Sequence, residues 1–197
     1  MGNAFTNIVT FTRELFVGIG VPVKFMPLIY TLMIMFILLV ISYTVNGINI
    51  FILRRFPAGS GMLVCRWLTI PGVVLHECSH AFFALITGAK VKKIVFFGPS
   101  GDTLGYVSYC TRGGVVLSGI QSMLASVAPI IVGPCVIYGM YVLMTATTYL
   151  ALKILAGYVM FSMFVHMDLS SADVKQYLKG CGVILVVVFL VCLILLK

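Results

Sequence analysis

The chain is 197 residues long, 61% hydrophobic and only 9% charged, with a mean hydropathy of +1.17. Soluble domains carry about 25% charged and about 45–50% apolar residues, so a soluble fold is excluded and the bilayer must be the solvent for most of this chain. The net charge of +8 falls between apolar runs, at Arg54/Arg55, Lys90/Lys92/Lys93, Arg112 and Lys175/Lys179, where it sets topology and meets anionic headgroups; a nucleic-acid partner is not indicated.

Nothing in the pattern divides the chain, and residues 1–197 read as one integral membrane domain. The segment 1–24 mixes Arg13 and Glu14 into apolar sequence and reads as interfacial rather than spanning. A span needs about 20 mostly apolar residues, and the first such run is Phe25 to Val45. The second, Met62 to Thr87, carries Pro71 and Gly72 in its middle, where a kink is expected. From Ala89 to Gly114 the character changes. Val91 to Phe97 and Leu104 to Tyr109 are rich in β-formers and flank a Gly98-Pro99-Ser100-Gly101-Asp102 turn, which predicts a hairpin. Backbone of that kind must be buried in protein or face water, so the hairpin is interfacial or lines a cavity.

The third run, Val115 to Thr145, is too long for one straight crossing, and Pro129, Gly133 and Pro134 are expected to bend or split it. The fourth and fifth are Thr148 to His166 and Gly180 to Leu196. The expected fold class is therefore an all-α polytopic membrane protein with about five transmembrane helices, one broken by Pro and Gly, and a small β-hairpin or re-entrant segment. Alternating the connections puts the N-terminus, 89–114 and 168–180 on the more basic side, which the positive-inside rule assigns to the cytoplasm. Six cysteines are scattered without a CxxC pair, so neither a zinc knuckle nor a disulfide framework is indicated.

The second run holds the chemistry. It reads His76-Glu77-Cys78-Ser79-His80, the H-E-x-x-H pattern. Two histidines four apart on a helix stand one turn apart on one face and can share one Zn²⁺ in a tetrahedral site. Glu77, between them in sequence, is placed to take a proton from the attacking water and return it to the leaving amine. In a soluble helix two exposed histidines and a glutamate carry no penalty, so the motif often arises by chance. Here the chain has three His and five acidic residues in all, and three of those eight fall in this pentapeptide within an apolar helix. Ionisable groups at membrane depth are expensive and usually functional.

The third ligand is less constrained. A metzincin needs Gly and His where this chain has Phe83 and Ile86, and a zincin with a distant Glu finds only Glu14. Asp102, Asp168, Asp173, His166 or a cysteine remain. Asp173 has a structural alternative: Ser170-Ser171-Ala172-Asp173 is a capping-box-like helix start. Asp168 is equally suited to an N-cap, Asp102 to a turn, and His166 to a hydrogen bond behind the ligands.

A helix carrying His76-Glu77-x-x-His80-Ala81, then a hairpin segment, a Pro/Gly-rich helix (Ala128-Pro129-Ile130-Ile131-Val132-Gly133-Pro134) and a late Asp, resembles the site-2 protease family of intramembrane zinc metalloproteases. The resemblance covers about residues 62–197. It implies that Asp173 is the third metal ligand, with Asp168 as the alternative, although the family's Asn-Pro and Asp-Gly are absent around it. It further implies one Zn²⁺ per chain, a membrane-protein substrate presenting a transmembrane helix, and regulated intramembrane proteolysis as the setting. The active site would lie nearer the cytoplasmic face. The stretch Gly105, Tyr106 and Val107 is a candidate strand for holding an unwound peptide; a hairpin that merely plugs the cavity is the other reading. A non-catalytic metal-binding membrane protein, such as a scaffold or pseudoprotease, and a metal transporter are the alternatives from other classes. The oligomeric state is not legible.

Overall fold

The structure is a computed structural model that describes residues 2–53, 55, 67–97 and 105–194. The order is α1 (Gly2–Gly18), a short 3₁₀ turn (Val23–Phe25), α2 (Met26–Leu53), α3 (Ile70–Ile86), β1 (Lys90–Val95), β2 (Tyr106–Cys110), α4 (Val115–Ala146), α5 (Leu150–Val165) and α6 (Ser171–Ile194). Three helical stretches, Val23–Phe51, Val115–Ala146 and Ser171–Ile194, are long and apolar enough to cross a membrane, while Ile70–Ile86 and Leu150–Val165 are shorter apolar helices. Leu, Ile, Phe and Val line their outer faces, and the exposed residues include Ile34, Phe36, Phe82, Leu85 and Ile154. An apolar exterior of that extent suits hydrocarbon and not water.

The N-terminal segment is helical over Gly2–Gly18 and is tied to α2 where Tyr30 Oη donates to the Val9 carbonyl at 3.1 Å. Two expectations about breaks change. Pro71 lies in the first turn of α3 rather than in its middle, with Thr69 at the N-cap. Proline starts a helix there because the first-turn N–H groups have no intrahelical acceptor in any case. Residues 62–66 of the expected span, and Asp102 with the rest of the hairpin turn, lie outside the described residues. The long fourth helix is not split: Val115–Ala146 is continuous through Pro129 and Pro134. Proline is tolerated in membrane helices where neighbouring groups satisfy the carbonyl it leaves free.

The interruption falls later in the chain, at residues 166–170, between α5 and α6. Packing gives the direction of each helix. Close approach at Gly133 is to Met163 and Met167, at Gly180 to Gly119 and Met123, and at Gly119 to Val183. Both α5 and α6 therefore run antiparallel to α4, following one another in a single direction, where the sequence reading had them alternate. Helix α3 also runs against α4, since Gly72 meets Ser162 and His166 while Thr87 accepts a hydrogen bond from Gln121. Helix α2 lies antiparallel to α6, from the Phe25–Phe189 ring stack at one end to Ser42 at the Leu169 N–H at the other.

The hairpin is an antiparallel pair with Val95 opposite Tyr106 and Lys90 opposite Cys110, and a bulge between Val91 and Lys93. It starts at the C-terminal end of α3 and folds back along that helix. Ala89 packs with Ala84 and Ala125 at one end, and Phe97 stacks on Trp67 at the other, 6.3 Å between ring centroids. The strand pair therefore lies along the length of α3.

Close helix approach rests on glycine. A Cβ added at Gly72 would collide with the Ser162 carbonyl oxygen, which is backbone and cannot yield. We expect Gly72→Ala to destabilise the fold by about 1–3 kcal/mol or more, and Gly47→Ala, whose methyl meets nothing within 4 Å, to be neutral or stabilising by about 0.5–1 kcal/mol. Thermal unfolding in detergent measures both, and equal midpoints would contradict the packing described.

Candidate metal centre

Helix α3 presents His76 and His80 on one face, and their rings meet edge to face with centroids 4.6 Å apart. Each Nδ1 is committed to a backbone carbonyl: His76 Nδ1 to His166 O at 2.5 Å and His80 Nδ1 to Ala125 O at 2.7 Å. A carbonyl only accepts, so each Nδ1 carries a proton and each ring turns its Nε2 inward. The two Nε2 atoms are 3.0 Å apart. Two bare acceptors at that distance repel, so the spacing calls for a shared proton or a metal cation between them. Two Zn–N bonds of about 2.0–2.1 Å at a tetrahedral angle place the nitrogens about 3.3 Å apart, so the spacing is close to that of a metal pair. An N–H donated to a carbonyl behind the ring is also the usual way a ligating histidine is oriented.

The Ala125 carbonyl is available for a reason visible in the sequence. Its helical partner would be the N–H of residue 129, and residue 129 is proline. The His166 carbonyl is available because α5 ends there, with His166 at its C-cap.

Asp173 Oδ1 lies 3.5 Å from His80 Nε2. The ligand atoms of His76, His80 and Asp173 all fall within 4.8 Å of one another. The capping geometry is present as well. Asp173 Oδ2 accepts from Ser170 N–H at 3.0 Å and from Ser170 Oγ at 2.5 Å, and Ser170 Oγ accepts from Asp173 N–H at 3.2 Å. The two readings of Asp173 do not compete: one carboxylate oxygen closes the helix start and the other faces the imidazoles.

The remaining candidates lie elsewhere. Asp168 accepts from Asn46 Nδ2 at 3.0 Å and stands outside the His–His–Asp group. The buried His166 ring faces Thr69 Oγ1 at 2.6 Å, and the residue's backbone carbonyl is the group hydrogen-bonded to His76. Glu77 is 5% exposed, beside the ligand pair. The hairpin backbone lies directly on it, since a Cβ at Gly105 would be 2.7 Å from Glu77 Oε1 and 2.6 Å from the Val95 carbonyl oxygen. Only glycine fits there. Next along β2, Tyr106 is exposed and Val107 half-buried. At the other end of the strand Tyr109 Oη donates to Gln176 Oε1 at 2.5 Å, tying the hairpin to α6 less than one turn beyond Asp173.

Comparison with protein-family models, with characterised proteins and with solved structures finds no match to this chain. Sequence reasoning missed the carbonyls of Ala125 and His166, and also Ser42, Asn46 and Asn49 of α2. A proline four residues after Ala125 was the available signal for the first; three polar residues on one face of an apolar helix were the signal for the last group.

The geometry separates the candidate ligands. In purified protein, His76→Ala and His80→Ala are expected to abolish stoichiometric zinc. Asp173→Ala should weaken it by about 10- to 100-fold or more, while Asp168→Asn should leave zinc bound stoichiometrically. Metal analysis with chelator competition reads all four, and a zinc loss in Asp168→Asn as large as in Asp173→Ala would reassign the third ligand.

Proposed function

We propose that the chain is an intramembrane zinc metalloendopeptidase that hydrolyses a peptide bond in or beside a transmembrane segment of another membrane protein. The observation that carries the proposal is the pair of histidine Nε2 atoms turned toward one another 3.0 Å apart, with a carboxylate oxygen beside them. The pattern His76-Glu77-x-x-His80 with a late Asp is the one that resembles site-2 proteases, which supports regulated intramembrane proteolysis as the setting. The direction of the helices favours four traverses, made by α2, α3, α4 and the interrupted α5–α6 pair, in place of five alternating ones. The end carrying Lys24, Lys90 and Arg112 would face the cytoplasm by the positive-inside rule.

His76, His80 and Asp173 would hold Zn²⁺, which supplies Lewis acidity and lowers the pKa of water to about 7. Glu77 accepts the proton of the attacking water and delivers it to the leaving amine. Burial around Glu77 keeps bulk water from competing for that proton. The β2 backbone over Glu77 offers hydrogen-bonding groups to a peptide that has left its helix, and unwinding must precede cleavage because a helical amide is already paired within its own segment.

Glu77→Gln is expected to abolish cleavage of a co-expressed membrane substrate, a loss of at least about 10²-fold, with zinc content unchanged. Full cleavage in that variant would remove the mechanism. A zinc-loaded wild-type chain that cuts no substrate, and retains its clients whether residue 77 is Glu or Gln, would instead favour a metal-binding scaffold. Gly105→Ala should reduce cleavage while zinc remains bound, because its methyl displaces either the hairpin or the Glu77 carboxylate.

A further inference from the structure

The interruption at residues 166–170 carries two of the three groups that aim the candidate ligands, the Ala125 carbonyl behind His80 being the third. The His166 carbonyl pins His76, and Ser170 pins Asp173. The segment lies outside any helix or strand and holds neither proline nor glycine, so its own backbone preferences do little to fix its shape. Besides the Ser170–Asp173 cap and the Thr69 contact with His166, three of the bonds that hold it come from α2. Ser42 Oγ accepts the Leu169 N–H at 2.9 Å, Asn46 Nδ2 donates to Asp168 Oδ2 at 3.0 Å, and Asn49 Nδ2 donates to the Val165 carbonyl at 2.6 Å. Positions 42, 46 and 49 follow the i, i+4, i+7 spacing of one helix face. Further back on α2, the Met35 carbonyl accepts from Tyr177 Oη at 3.0 Å, one turn beyond Asp173. The second helix therefore grips the chain on both sides of that aspartate.

Asn49 shows that these contacts are not incidental. It is 7% exposed, and its Oδ1 has no hydrogen-bond partner among the described residues. A buried amide with an unsatisfied oxygen is unfavourable in apolar surroundings, and polar residues persist there where they do a specific job. The donor half of Asn49 is the half in use.

We infer that α2 is a positioning arm of the metal centre: Ser42, Asn46 and Asn49 hold the 165–170 segment in the one conformation that turns the His166 carbonyl to His76 and the Asp173 carboxylate to the histidine pair. These three side chains are absent from the ligand group, so they act through the segment and are positioning residues. The inference rests on the metal centre proposed above, and it extends that centre to a helix lying outside the 62–197 region that carries the resemblance.

The test uses the full chain in detergent, with Zn²⁺ affinity read by chelator competition and coordination read by the visible spectrum of the Co²⁺-substituted protein. Asn46→Leu/Asn49→Leu is expected to weaken Zn²⁺ about 10- to 100-fold and to alter the Co²⁺ spectrum. Ser42→Ala, which removes a single oxygen, should weaken Zn²⁺ by a smaller factor in the same direction. Thr44→Ala is the control, because its hydroxyl bonds only to the Val40 carbonyl of its own helix. Wild-type affinity and spectrum in the folded variants, even with a lowered melting temperature, would make α2 a merely structural neighbour and overturn the inference. If the double variant fails to fold, Ser42→Ala decides alone, wild-type affinity overturning the inference. A wild-type chain that takes up neither Zn²⁺ nor Co²⁺ overturns the metal-centre reading and this one with it, whereas a loaded wild type with indifferent variants overturns only this one.

Discussion

Two imidazole nitrogens facing one another across 3.0 Å are the constraint around which this chain is arranged. Left to themselves the rings would rotate apart, because their lone pairs repel. They are prevented by two carbonyl oxygens, one from the end of α5 and one from the interior of α4, each claiming the opposite nitrogen. Three helices must hold their relative positions for that arrangement to persist: α3 bears the rings, while α4 and α5 bear the oxygens. Asp173 brings in a fourth, α6, whose first turn orients the carboxylate through Ser170.

Packing in a membrane limits how this can be done. There is little hydrophobic driving force between helices in lipid, so association depends on close contact and on hydrogen bonds that average about 0.6 kcal/mol each. Bonds that weak add little to total stability. Their value here is directional, since each selects one rotation or one loop shape among several of similar energy. The glycines complement them. Gly72, Gly119, Gly133 and Gly180 all sit where a methyl group would meet a neighbouring helix at under 3 Å, so backbones approach closely enough for a short side chain such as Ser162 to bridge them, its hydroxyl accepting from the Gly72 N–H and donating to the Thr69 carbonyl.

How much of this was legible in the sequence depended on the range of the signal. The H-E-x-x-H spacing is local, and so is the face it implies. The hairpin also announced itself locally, through β-branched and aromatic residues around a glycine and proline turn. The continuity of α4 through Pro129 is not legible locally, because proline in a helix interior ordinarily kinks or breaks it through a lost bond and a clash with the carbonyl four residues back, whereas here a histidine from another helix takes the vacated carbonyl. The interruption at 166–170 was legible, because the fourth apolar run ends at His166 and a capping-box-like start stands at Ser170; the resumption of α6 in the same direction as α5 was not, because it depends on packing against distant residues. Asp173 looked like a choice between ligand and cap because a sequence assigns one role per residue, while a carboxylate has two oxygens.

Pro129 has a further consequence. Residues with a backbone N–H suit a helix interior better, and replacing this proline would tighten α4 by restoring one rung of its ladder. The restored amide would then compete with the histidine ring for the oxygen of Ala125. Firmness of the bundle and aim of the ring pull in opposite directions at this position. A redesign guided by rigidity alone would choose the wrong residue here, and the flaw would show in the orientation of the His80 ring before it showed in the melting curve.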